Sequence, residues 1–370
     1  MQDSLAAYQR SLELNDQEAN TWISYAVQYM LRKDYATAAQ QLEKGALALP
    51  KSGPIQGHLA YAYAHLRDIP RAEMHLKAAK KLGESNPDYA LEAIREAKES
   101  IKAINADLQA HGLTLDELIS KFNRFVQETS LPAVKITAVK GKTAATDSKF
   151  AGQPYQPAGF HWPTDHAGQP MRLLAQLNLR QMPRSKPLPG EGLLQFFIPQ
   201  DITPQQSSND SLVPVEAKVL YHQPPFDDWS AASVAPSVGG DAMFPIPGEM
   251  KLDFETANEP MSISDFRFKE IFTRIVGMGF ENLPEDIHEQ YEEAFSGSGH
   301  KASGYPFFTK EDPRRFAEAR TGHTVLLLQI DSGMASGIQW GDNGVGSFFI
   351  TPEALQNLDF SNVFFTWDCY

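Results

Sequence analysis

The same string of residues occurs twice in this chain, and the repetition constrains its fold more than any other feature. One copy holds Lys149, Gly152 and Pro154, then LLAQLN at 173–178 and LQFFIP at 194–199. The other holds Lys301, Gly304 and Pro306, then LLLQID at 326–331 and GSFFIT at 346–351. The lysine-to-glutamine spacing is 27 residues in the first (149 to 176) and 28 in the second (301 to 329). Such agreement implies two copies of one substructure, about 148–199 and 300–352, with the glutamine strands in related positions.

A shorter period runs through the N-terminal third. Tyr25, Ala26, Tyr29, Ala38 and Leu42 are followed 34 residues later by Leu59, Ala60, Tyr63, Ala72 and Leu76. Small residues at that spacing let adjacent helices cross closely, with tyrosine or leucine filling the gaps. Together with Trp22 and Pro50, these positions resemble the tetratricopeptide (TPR) pattern of paired helices. Residues 4–15 read as the second helix of a truncated earlier repeat, and 87–109 as a long charged capping helix. The resemblance implies a concave face presenting Asn20, Ile23, Val27 and Met30, then Gly57, Tyr61 and Ala64. Such a face takes a protein or peptide partner, or packs on the next domain or a second copy. The Lys/Arg/Asn set with which family members clamp a C-terminal carboxylate is not visible.

Composition changes abruptly after this segment. All 22 phenylalanines lie at Phe122 or later, and 21 of 25 prolines lie beyond residue 130. Residues 1–110 are rich in Ala, Leu, Gln, Glu and Lys, which favour helices. The expected domains are therefore 1–110, all-α, and 111–370, β-rich. Charge divides with them: residues 1–110 carry 13 basic and 14 acidic residues, and the remainder 20 and 32. An acidic body repels phosphate backbones, so nucleic acid is not an expected partner. No apolar run reaches the roughly 18–20 residues of a membrane span, and no polybasic run suits an anionic membrane. The opening MQDSLAAYQRSLEL lacks the basic start and apolar stretch of a secretory signal. The single cysteine, Cys369, excludes an intrachain disulfide and a cysteine-rich metal site. These features lead us to expect a cytoplasmic protein.

Beyond residue 110, Thr114 and Glu117 form a capping box for an amphipathic helix at 114–128. Alternating Val134, Ile136 and Ala138 predict a strand at 133–139. Further strands are expected at 171–178, 192–198, 216–222, 324–331, 346–350 and 362–367. Helices are expected at 284–296 and from Thr351, with threonine as N-cap and Pro352 at the first helical position. Apart from the strand at 216–222, residues 200–270 read as loop-heavy, wrapping the surface or inserting between the two copies. The pieces SKFAGQPY (148–155), Trp162-Pro163, LLAQLN, GLLQFF (192–197), GYPFFTKEDPR (304–314), LLLQID, WGDNGVGSFFI (340–350) and LDFSNVFFTWDC (358–369) resemble the YwqG-like family of bacterial proteins. The resemblance spans about 112–370. It implies an α+β fold with internal duplication and hints at an immunity or regulatory role. It supplies no reaction and no catalytic residues.

Alternation predicts that Leu174, Gln176 and Asn178 share one strand face, and Leu327, Gln329 and Asp331 the equivalent one. A pseudo-twofold axis would then gather Gln176, Asn178, Gln329 and Asp331 around a cleft for a small polar ligand. Trp340 would offer a stacking ring and Asp342 a carboxylate. Equally, buried glutamines bond to backbone and fix strand ends. A hydrolase using Asp331 or Asp342, with Asp165 as a further acid–base candidate, is the enzymatic alternative. His161, His166, His300 and His323 lack metal-ligand spacing, GxSxG and phosphate-loop motifs are missing, and no cofactor is expected. GSGH at 297–300 reads as a flexible helix end, and Lys149 and Lys301 as lysines with solvated amines. The leading expectation is a non-catalytic interaction protein.

Overall fold

The computed structural model describes residues 2–202, 215–226 and 244–370. The chain divides into two units, Met1–Leu118 and Ile119–Tyr370.

The first unit is helical: α1 (Gln2–Leu14), α2 (Ala19–Met30), α3 (Tyr35–Ala48), α4 (Gly53–His65), α5 (Ile69–Lys81), α6 (Asp88–Gln109) and the start of α7 (Leu115–Thr129). The 34-residue period of the sequence is also a period of the backbone. Lys33 and Arg67 both turn left-handed, at φ 60° and 57°. The next residues, Asp34 and Asp68, cap α3 and α5 by accepting from the amides of Thr37 and Arg71. Trp22, Ala26, Ala38, Leu42, Leu59, Ala60, Ala72 and Leu76 form the core between the helices. Gly45 is required by contact: a Cβ there would lie 2.8 Å from Cγ of Trp22. Thr114 and Glu117 form the capping box reciprocally, at 2.8 and 3.3 Å.

The second unit is built on one antiparallel sheet. Its strands are β1 (Leu131–Lys140), β2 (Lys149–Phe150), β3 (Arg172–Asn178), β4 (Leu193–Ile198), β5 (Lys218–His222), β6 (Met250–Glu259), β7 (Lys301–Ser303), β8 (Val325–Asp331), β9 (Val345–Ile350) and β10 (Phe364–Asp368). The helices are the remainder of α7, α8 (Phe268–Val276), α9 (Glu285–Ala294), α10 (Glu318–Thr321) and α11 (Pro352–Gln356). Phe122 and Phe125 of α7 pack edge-on against Phe272 of α8, the face-to-edge geometry aromatic pairs prefer.

Strand order is β10-β9-β8-β7-β1-β6-β2-β3-β4-β5. Six strands separate β4 from β9, roughly 34 Å in a flat sheet at about 4.8 Å per strand. Yet the rings of Phe196 on β4 and Phe348 on β9 lie 5.0 Å apart. The sheet therefore curls on itself, and one core containing Leu174, Phe196, Ile198, Leu327, Phe348 and Ile350 fills its interior.

The two similar stretches share local backbone features. Lys149 pairs with Gln176 in β3, and Lys301 with Gln329 in β8. Each Gln strand carries a bulge, between Leu173 and Ala175 and between Leu326 and Leu328. After β2 and β7 the chain turns left-handed through Ala151-Gly152 and Ser303-Gly304, which accounts for the repeated glycine.

The loop-heavy reading of 200–270 misses β6 and the start of α8, and at 203–214 and 227–243 it falls outside the described residues. β6 pairs with β1 along all ten of its residues and forms the middle of the sheet. Its signal is present in the sequence: Met250, Leu252 and Phe254 alternate with Lys251, Asp253 and Glu255.

Candidate functional site

The bulges redirect the residues expected to form a cleft. An extra residue in a strand changes which side chains share a face. Leu174 and Ala175 both enter the hydrophobic core, as do Leu327 and Leu328, whereas the side chains of Gln176 and Gln329 meet loop backbone. Gln176 accepts from the Tyr155 amide at 2.8 Å and donates to the carbonyls of Ala145 and Asp147. Gln195 also donates to it. Gln329 accepts from the Phe307 amide and donates to the carbonyls of Gly297 and Gly299. Both glutamines are fully buried. Each holds its own half's loop to its own strand, so the expected convergence of Gln176, Asn178, Gln329 and Asp331 is not what their contacts support. Asn178 donates to the Thr146 carbonyl and accepts from the Arg180 amide. Asp331 accepts from the amides of Gly299 and Ser332, both at 2.8 Å.

Trp340 is also misplaced by the sequence reading. It is wholly buried, 6.0 Å from both Phe365 and Trp367, and the glycine at 346 makes room for its ring. A ring so enclosed cannot stack on a ligand. Asp342 is exposed in the turn before Asn343, whose φ is 50°. Asp165 accepts from the amides of Ala167 and Gln169 in another turn. His166 contacts Glu216 at the surface, and buried His323 meets the Asn362 carbonyl. Among the described residues no group of three or more His, Cys, Asp or Glu could hold a metal, and no helix is long and apolar enough to cross a membrane.

The two halves place unlike chemistry on like backbone. In the first, Ser148 Oγ accepts from the Asn178 amide; in the second, His300 Nδ1 accepts from the Asp331 amide. Burial pushes the His300 imidazole down to about 4, so the neutral ring is the acceptor at neutral pH. Burial pushes the Asp331 carboxyl above its ordinary range, against the opposing pull of the Gly299 and Ser332 amides. Neither lysine has the solvated amine expected of it. Lys149 donates to the carbonyls of Ala144, Ala145 and Gln153. Lys301 donates to Glu259 Oε2 at 2.7 Å. Burial lowers both ammonium groups below the usual lysine range, with Glu259 opposing at Lys301.

Two open cavities lie elsewhere, and none of the candidate site residues read from the sequence lines either. One, about 390 Å³, is walled by the 179–190 loop, including Leu179, Met182, Arg184, Ser185, Lys186 and Leu188. The other, about 520 Å³, lies between β5 and the turn after α11, lined by Tyr221, Gln223, Asn357, Leu358 and Phe360. The first left a trace in the sequence: Arg184 and Lys186 stand close together in a proline-rich run of an acidic domain.

In the helical unit, Asn20 is exposed and Val27 half-buried, while Ile23, Met30 and Tyr61 are half-buried against the core. Gly57 and Ala64 are buried and offer little surface. Tyr61 stands at the centre of an aromatic row. His65 lies 4.5 Å from it and stacks on Tyr35 at 4.2 Å; on the other side come Tyr89 at 5.9 Å and then His58, 5.1 Å from Tyr89. His58, Tyr61 and His65 recur at helical spacing on one face of α4.

A family model described as a domain of unknown function (DUF1963) matches residues 148–369, which is consistent with the YwqG-like resemblance. A search of curated proteins finds no match to the chain.

Proposed function

The chain belongs to the DUF1963 family, and from that premise we propose that it is a non-catalytic binding protein with two working parts. A tetratricopeptide arm takes a protein or peptide partner, and an internally duplicated YwqG-like module takes a small ligand. A cytoplasmic setting and a regulatory or immunity role accompany this reading.

The aromatic row through Tyr35, Tyr61, His65 and Tyr89 carries the proposal. Tyr35, Tyr61 and Tyr89 are half-buried and His65 is exposed, so the row offers apolar ring faces with polar tips. Such side chains supply contact area at binding surfaces. The recurring left-handed turns at Lys33 and Arg67 and the caps at Asp34 and Asp68 support the tetratricopeptide reading. The hydrolase alternative has no comparable support, since the Asp331 and Asp165 carboxylates are engaged by backbone amides and Asp342 sits in an exposed turn.

Duplication is supported by the middle of the sheet. Lys135 pairs with Lys301, and Lys251 with Lys149. A shift of 116 residues carries Lys135 to Lys251 and Thr137 to its own register partner, Asp253. A pseudo-twofold axis between Thr137 and Asp253 accounts for all of these pairings.

The test is affinity capture with the full chain and a Tyr61→Ala/His65→Ala variant, with thermal unfolding as a folding control. Partners captured by the wild type should be lost by a folded variant. Equal capture by both would remove the arm from the proposal.

A further inference from the structure

The 179–190 cavity combines three features that together point to a ligand. Its floor is apolar and continuous with the core of the curled sheet: Leu179 and Met182 belong to that core and Leu188 packs against it. Its rim carries Arg184 and Lys186, both exposed and neither in an ion pair among the described residues. Arg180, nearby in sequence, is by contrast paired with Glu191 at 2.8 Å. Between them, the Ser185 hydroxyl is buried and has no hydrogen-bond partner among the described residues. A buried hydroxyl without a partner costs on the order of 1–3 kcal/mol, and a rotation of the Ser185 side chain toward an acceptor in the cavity it lines would relieve that cost.

Residues 111–370 carry 20 basic and 32 acidic residues. Two cations side by side over an apolar floor, without an ion pair among the described residues, are therefore conspicuous against their surroundings. At about 390 Å³, the cavity falls in the range of about 300–1,000 Å³ typical of small-molecule sites.

We propose that this cavity binds a small amphipathic anion, with its carboxylate or phosphate head on Arg184, Lys186 and the Ser185 hydroxyl and its apolar body against Leu179, Met182 and Leu188. The guanidinium fork matches either oxyanion with paired hydrogen bonds. The Ser185 hydroxyl donates a third, and the apolar body covers surface that is otherwise wet. The proposal rests on reading the sheet domain as a binding module and is independent of the helical arm.

Isothermal titration of the full chain with octanoate, octyl phosphate, octanol and inorganic phosphate tests it. Saturable binding of at least one octyl anion is expected, with octanol and inorganic phosphate at least tenfold weaker. The better of octanoate and octyl phosphate identifies the head group. Arg184→Gln/Lys186→Gln should weaken the anion tenfold or more without altering thermal unfolding, because both side chains are at the surface. Ser185→Ala should weaken it less, and Leu188→Gln should weaken octanoate and octanol alike. No saturable binding, octanol as tight as the anions, inorganic phosphate as tight as octyl phosphate, or indifference to the double substitution would each overturn the site. Partner capture through Tyr61 should be unchanged by the Arg184/Lys186 variant, so failure here and failure of the arm are separable.

Discussion

The backbone amide of Asp331 donates to Nδ1 of His300 at 2.9 Å. The bond requires an unprotonated Nδ1, and burial holds the ring neutral down to about pH 4. The ordinary histidine value is 6.5, so the unfolded chain binds this proton first as pH falls. The stabilising contribution of neutral His300 is complete above about pH 6.5 and is lost progressively between there and about 4. Over that window it amounts to on the order of 3 kcal/mol. His300→Ser, which restores the hydroxyl acceptor that Ser148 supplies in the other half, should flatten this part of the profile. Urea unfolding of both proteins at pH 7.5 and 5 measures the difference; parallel profiles would mean that His300 does not titrate as described.

Gln176 and Gln329 are fasteners rather than ligand contacts. Truncating either leaves a backbone amide and two carbonyls short of their partners, at about 1–3 kcal/mol for each buried group left unsatisfied. Gln176→Ala and Gln329→Ala should each lower the urea midpoint clearly. Their effects should add, because the two networks share no partner. Equilibrium unfolding of both singles and the double decides this; an unchanged midpoint would place the amides outside the loop-holding role.

Gly45→Ala reverses a general rule. In an open helix the change is worth about 0.5–1 kcal/mol in favour of alanine. Here the new methyl meets the Trp22 ring at 2.8 Å, and overpacking costs about 1–3 kcal/mol. Net destabilisation is expected, with relief in a Trp22→Leu background. A more stable Gly45→Ala protein, measured by thermal unfolding, would show that the ring moves aside freely.

Arg314 is wholly buried, bonded to Asp312 and to Asp265, with its guanidinium 4.2 Å over the Phe349 ring. Arg314→Met removes the cation and leaves two buried carboxylates with less compensation. Loss of one partner of a buried ion pair costs about 3–5 kcal/mol. The variant should unfold well below the wild type in urea at pH 7.5. A midpoint equal to that of the wild type would contradict the assignment.

The helical period, the placement of most strands and the agreement between 149–199 and 301–351 were all legible, because each follows from spacing along the chain. β6 was passed over although Met250, Leu252 and Phe254 alternate as a strand should, because surrounding proline and serine suggested loop. The glutamine cleft failed for a different reason. A bulge at Leu174 leaves no mark in the order of residues, yet it determines which neighbours share a face. The 390 Å³ cavity depends on a loop folding back over core side chains, and only the proximity of Arg184 and Lys186 hinted at it.

The meeting of Phe196 with Phe348 has a consequence for unfolding. Neither 149–199 nor 301–351 encloses its own hydrophobic surface, so each relies on the other to keep its phenylalanines dry. Peeling either edge of the sheet away bares both walls at once, and the sheet domain should come apart in a single step.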